Sequence, residues 1–225
     1  MTKINLNVLY EDNHLLVVEK GVNILSQKDI TGDIDMTEIV SNYLKEKYNK
    51  PGNVYVGLIH RLDRRVGGVM IIAKTSKAAK RLSEDIRNHK FKKTYLGYVE
   101  GNLINDGNIN VKITKDQNSK MAIITNKGQE SKLNYSIVNH YQNKTYVLID
   151  LITGRYNQIR ASFAHIGHPI VNDYKYNSNI SINTNDIGLY CYKLGINHPI
   201  TKEYMEFTNF PTGEIWNECK LKRQI

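Results

Sequence analysis

Val54-Tyr55-Val56-Gly57-Leu58-Ile59-His60-Arg61-Leu62-Asp63-Arg64-Arg65-Val66-Gly67-Gly68-Val69-Met70-Ile71-Ile72-Ala73 passes from one apolar stretch to another through a short charged connection. Both flanks are rich in β-branched residues, which predicts strands at Val54–Ile59 and Val69–Ala73. In the connection one acid, Asp63, stands among Arg61, Arg64 and Arg65. An acid in that company is either a member of a structural ion pair or a reacting carboxylate kept ionised by a guanidinium. Gly67-Gly68 next to it permits a tight reversal or close approach of a ligand to the backbone.

Outward from this segment the pattern stays mixed. Leu6–Leu9 and Leu15–Val18 read as short strands around the turn Glu11-Asp-Asn-His14. Thr37–Tyr48 has apolar residues at helical spacing and is stopped by Pro51-Gly52. Thr75–Phe91 reads as a helix with Ala78, Leu82 and Ile86 on one side and Lys77, Lys80, Arg81 and Arg87 on the other. Thr94–Val99 is a predicted strand. The turn-rich region to Gly128 holds two strand-like pieces, Ile109–Ile113 and Met121–Ile124, spaced to pair as a hairpin. Lys132–Val138 and Thr145–Leu151 read as strands, Gln158–Ile166 as a helix ended near His168-Pro169, and the Asn-rich stretch 177–186 as a loop. Leu189–Leu194 alternates as a strand, and Tyr204–Phe207 is a short apolar tail element. The expected fold is mixed α/β (α+β): a largely antiparallel sheet with flanking helices, in a single domain over residues 1–225.

Composition narrows the partners. Of 225 residues, 40% are hydrophobic and 24% charged, as in a globular chain. The formal charge of +9, with a pI near 9.3, favours a phosphate-rich partner. No apolar run is long enough to span a membrane, and Met1-Thr-Lys-Ile-Asn5 lacks the apolar core of a secretion signal. The two cysteines, Cys191 and Cys219, read as free thiols of a cytoplasmic protein. The seven histidines show no metal-ligand spacing, so no metal is expected.

Two further basic segments accompany Asp63. Tyr95 follows Lys92, Lys93 and Thr94; it is either a packed strand tyrosine or a ring that stacks on a base beside phosphate-binding lysines. Arg155 follows a predicted strand and Gly154, with Gln158 and Arg160 opening a helix. It reads as a surface charge at a helix start, a phosphate clamp or a partner for Asp63.

Taken together these segments resemble the RluA-type pseudouridine synthases, over about Val8 to Pro211. His60-Arg-Leu-Asp63, with Gly68 and a strand ending in Ala73-Lys74, resembles the family's catalytic motif and puts Asp63 on its essential aspartate. Lys93-Thr-Tyr95 with Val99-Glu-Gly101 resembles the next motif and puts Tyr95 on the active-site tyrosine. Leu151-Ile-Thr-Gly-Arg155, Gln158-Ile-Arg160 and His165-Ile-Gly-His-Pro169 resemble the third, with Arg155 on the arginine that pairs with the catalytic acid. His198-Pro199, Thr201, Glu203, Phe207 and Pro211 resemble the closing segment. The chain departs from the family pattern at Arg65-Val66-Gly67, where an acid and Thr-Ser are usual, at Tyr156-Asn157 in place of Thr-His, and at Lys20-Gly21 in place of Lys-Pro.

The resemblance implies a pseudouridine synthase-like catalytic domain, without the N-terminal RNA-binding domain of many relatives. It implies isomerisation of uridine to pseudouridine with no metal or cofactor, on a nucleotide taken out of its stack. Asp63 is then the attacking or charge-stabilising carboxylate, on ribose or base. Arg155 keeps it ionised, and Tyr95 stacks on the uracil. Arg61, Arg64, Lys92, Lys93, Gln158, Ile159 and Arg160 are the expected substrate-binding residues, with Ile159 lining the uracil pocket. The expected partner is RNA, with 23S ribosomal RNA first and transfer RNA second; the expected state is a bacterial, cytoplasmic monomer. A non-catalytic RNA-binding ribosome-assembly factor is the alternative. A metal-dependent nuclease is disfavoured because it needs clustered carboxylates.

Overall fold

The computed structural model describes residues 5–176 and 185–217. In chain order the elements are β1 (Val8–Glu11), β2 (Leu15–Lys20), α1 (Met36–Lys47), β3 (Gly57–Leu58), β4 (Gly67–Ala73), α2 (Ser76–Arg87), β5 (Lys92–Glu100) and β6 (Gly107–Lys115). They continue with β7 (Ala122–Ile124), β8 (Gln129–Tyr141), β9 (Lys144–Leu151), α3 (Gln158–His165), a one-turn 3-10 helix (Tyr174–Tyr176), β10 (Leu189–Asn197), β11 (Tyr204–Thr208) and α4 (Glu214–Asn217). The mixed α/β class with antiparallel strand pairing is as expected. The chain forms two compact units, 1–91 with 193–209 and 92–192 with 210–225.

In the first unit β2 pairs antiparallel with β1 and with β4, and β10 with β11. Leu15–Val18 and Val69–Ala73 are completely or almost completely buried, so these strands carry apolar side chains on both faces. The two helices are bounded by local chemistry. Asp35 caps α1 by accepting the Thr37 and Glu38 amides, and Thr75 caps α2 by accepting the Ala78 amide. The α2 helix stops at Arg87, short of the expected Phe91, because His89 adopts a left-handed backbone (φ 55°). The predicted strand Val54–Ile59 shrinks to Gly57–Leu58, paired with Ala73 and Ile72.

The second unit holds an antiparallel succession β5-β9-β8-β6-β7. The expected hairpin is present, with Ile113 opposite Ile124. Its core is aromatic. Tyr98 and Tyr146 stack with ring centroids 3.9 Å apart and planes 5° apart, and Tyr190, Tyr192 and Trp216 pack into the same cluster. Of the predicted loop 177–186, residues 177–184 lie outside the described residues, as does Cys219.

Candidate active site

The first unit supplies a rigid frame for Asp63. On one side of it Leu62 is buried, and its two backbone groups are clipped to a single hydroxyl: Ser26 Oγ donates to the Leu62 carbonyl (2.7 Å) and accepts from the Leu62 amide (3.0 Å). On the other side Val66 is buried, and its amide donates to the Asp63 carbonyl at 3.1 Å. The Arg64 carbonyl accepts from the Asn23 amide (2.8 Å) and from Lys20 Nζ (3.2 Å). Further upstream, His60 Nε2 accepts from the Ile71 amide at 3.0 Å and ties the segment to β4. The peptide units around Asp63 are therefore held by contacts on both sides, and its side chain is half-buried.

Lys20 precedes Gly21, which stands where the family pattern has proline, and it is a central part of this frame. Its side chain is fully buried, with Nζ donating to the carbonyls of Gly21 (2.9 Å) and Arg64. Burial lowers its pKa to about 7; the Asp63 carboxylate pushes it back up, and Arg64 adds to the lowering. Neither Ser26 nor Asn23 had a sequence signal, because each acts through a contact with a distant backbone atom. Arg64 itself is engaged by Asn23 Oδ1 (2.9 Å) and Asp33 (2.6 Å), while Arg61 is exposed.

The second unit brings Lys92, Lys93 and Tyr95 on β5 together with the turn after β9. Tyr95 is 7% exposed and its hydroxyl is hydrogen-bonded to the fully buried Cys191 thiol. Burial, with the thiol as partner, pushes the Tyr95 pKa well up, and burial pushes that of Cys191 up to about 12 against the pull of Tyr95 and Lys93. Lys93 is half-buried, and burial lowers its pKa. Its Nζ would stand 3.0 Å from a Cβ on Gly154, so the absence of a side chain there lets the ammonium approach the turn. Lys92 is exposed.

Gln158 builds the turn that presents Arg155. Its Oε1 accepts from the Arg155 amide and from Thr153 Oγ1, both at 2.9 Å, and its Nε2 donates to the Lys132 carbonyl at 3.1 Å. Its amide group is thus committed to holding the turn. The exposed Arg155 side chain donates from Nε to the Glu130 carbonyl at 3.0 Å. Arg160 points inward: its guanidinium grips Asp173 through Nε (2.6 Å) and a terminal nitrogen (2.7 Å), with both side chains buried, and lies over the Tyr176 ring. Here Arg160 anchors α3 rather than offering its fork to a phosphate. Ile159 is 5% exposed. Among the described residues no group of three or more His, Cys, Asp or Glu side chains is arranged to hold a metal, and no helix is long and apolar enough to cross a membrane.

The sequence profile of the RNA pseudouridylate synthase family matches residues 14–165. The chain belongs to this family. The match takes in the segments around Asp63, Tyr95 and Arg155, so the RluA-type resemblance of those motifs is borne out. Among pseudouridine synthases, the chain is 33% identical over 172 residues to the ribosomal large subunit pseudouridine synthase D of Buchnera aphidicola subsp. Schizaphis graminum, covering 76% of this chain and 54% of that protein. It is 36% identical over 176 residues to the corresponding synthase C of Buchnera aphidicola subsp. Baizongia pistaciae, covering 75% and 53%. The chain therefore spans about half the length of these relatives. The fold is shared with human RNA pseudouridylate synthase domain containing 1, at a TM-score of 0.76 and 20% identity over 94% of this chain and 85% of that one.

Proposed function

We propose that this protein isomerises uridine to pseudouridine in structured RNA. The observation that carries this reading is the frame around Asp63. Buried Leu62 and Val66, Ser26, Asn23 and Lys20 immobilise the backbone on either side of one carboxylate, inside the segment matched by the family profile. A structural ion pair has no need of such backbone clamping, whereas a reacting group must be held to a fraction of an ångström. In this reading Asp63 is the reacting carboxylate, Arg155 its counter-charge and Tyr95 the ring that meets the uracil. Exposed Arg61 and Lys92 supply attraction for the RNA backbone. Large-subunit ribosomal RNA is the first candidate substrate, supported by the names of the relatives above, and transfer RNA the second.

The test uses purified protein and unmodified 23S ribosomal RNA and transfer RNA, read by mass-based pseudouridine mapping. Wild type converts one or a few uridines in one of the two RNAs. Asp63→Asn binds that RNA within about twofold of wild type and loses conversion by at least about a thousandfold, the scale expected when a nucleophile is removed. Conversion that persists in Asp63→Asn refutes the role of Asp63. Binding without conversion by wild type points to the ribosome-assembly reading.

A further inference from the structure

The residues at which this chain departs from the family pattern after Arg155 have a use of their own. Tyr156 donates its hydroxyl to the Lys120 carbonyl at 3.0 Å, and Lys115 Nζ lies 4.7 Å from the centre of its ring. Both lysines belong to the β6–β7 hairpin, Lys115 at the end of β6 and Lys120 in the turn. The same Lys120 carbonyl accepts from Lys175 Nζ at 2.7 Å. One peptide group at the hairpin tip is thus gripped by two side chains from outside the hairpin. The tip presents that carbonyl in a set geometry: Lys120 is left-handed (φ 53°), the Asp116 amide donates to the Met121 carbonyl, and the Asp116 carboxylate accepts from the Ser119 amide and hydroxyl.

A second contact lies two residues further on. Tyr176 Oη accepts from the Ala122 amide of β7 (2.7 Å) and from Asn157 Nδ2 (3.3 Å). Beneath these polar contacts Ile113 and Ala122 pack with Ala161 of α3 and Tyr176. The hairpin is therefore docked by an apolar seam and latched at its tip by Tyr156, Lys175 and Tyr176, the last of which also accepts from Asn157.

Tyr156 shares a peptide bond with Arg155. The turn that contains both is held from inside by Gln158 and from outside by the hairpin through Tyr156. We propose that Tyr156 is a positioning residue: it couples docking of the β6–β7 hairpin to the backbone that presents Arg155. An undocked hairpin leaves the outer face of that turn unsupported, and a docked one closes it. The consequence for turnover rests on the role given to Arg155 above; the coupling itself does not.

Hydrogen exchange read by mass spectrometry tests the coupling on the full chain, in peptides that cover the hairpin tip (116–124) and the turn (153–158). Tyr156→Phe removes the bond to Lys120 and keeps the ring; Tyr156→Ala removes both contacts. In Tyr156→Phe both segments exchange roughly fivefold faster, as expected for loss of one hydrogen bond, and faster again in Tyr156→Ala. On RNA, kcat falls in the same order while KM stays within about twofold. Unchanged exchange in Tyr156→Ala overturns the latch. A faster hairpin over an unchanged turn overturns the coupling to Arg155, and faster exchange in both with unaltered kcat overturns its consequence for turnover. If wild type converts no RNA, the functional reading fails, and the exchange of the two segments still decides the coupling.

Discussion

Lys20 carries an unusual burden for a lysine. Its buried ammonium is held by two carbonyl oxygens, and the Asp63 carboxylate acts on it through space. Because its pKa drops from 10.5 to about 7 on folding, the unfolded chain binds a proton there that the folded chain lacks across that range. Stability contributed at this position therefore rises as pH increases from about 7 towards 10.5. Tyrosines and the cysteine with raised pKa act in the opposite sense at alkaline pH, so the comparison has to be differential. Urea unfolding of wild type and Lys20→Met at pH 7 and pH 9.5 should show wild type gaining on the variant with pH; a constant difference rules out a depressed Lys20. The role of this residue was scarcely legible in the sequence. Glu19-Lys20 looks like the polar end of a strand, and only the folded position of the Arg64 carbonyl turns Lys20 inward. Asp63, by contrast, was legible because its motif is contiguous.

The elements divide in the same way. Period and capping suffice where the signals are local: α1, α2, β4, β5 and the β6–β7 hairpin all fall near their expected positions, and α2 ends where His89 leaves the helical region. Val54–Ile59 misled because β-branched residues report a preference for extended backbone, while a strand also needs a partner, and only Gly57 and Leu58 find one on β4. The contacts of Gln158 and Arg160 were also out of reach of sequence reasoning. The two side chains turn inward, onto the preceding turn and onto Asp173. Gln158 serves the start of α3 in place of a capping side chain from Asn157, which is left-handed (φ 46°) and makes no such bond. Replacing Gln158 with Ala takes the acceptor from the Arg155 amide and removes one bond each from Thr153 Oγ1 and the Lys132 carbonyl, which keep other partners. It should cost about 2–3 kcal/mol in chemical unfolding and speed exchange at the Arg155 amide. A loss below about 0.5 kcal/mol would mean that these groups are satisfied without it.

At the scale of the whole molecule, charge has two separate jobs. The excess of basic residues suits the polyanion partner proposed above, while individual acids hold the fold. Glu11 on β1 accepts from Tyr43 and Lys47 of α1, from Tyr48 at its end and from Lys74 after β4. Burial alone would raise its pKa; these four donors overcome that and bring it from 4.5 to about 2. The stability it provides is fully present above about pH 4.5 and fades as pH falls towards 2. Glu11→Gln should cost about 1–2 kcal/mol at neutral pH. In thermal melts the gap to wild type should close on acidification through that window; a gap independent of pH would contradict the depressed carboxylate. Composition revealed the sign of the surface charge but not this cluster, whose members are distant in sequence and meet only through the pairing of β1, β2 and β4.

The aromatic core of the second unit has a practical optical consequence. Trp216 is the only tryptophan in the chain, and it lies 6.3 Å from Tyr190 and 6.5 Å from Tyr146, which is itself stacked on Tyr98. Light absorbed by these phenol rings is passed to the indole. Emission excited through tyrosine therefore reports, without any label, whether that cluster is still assembled.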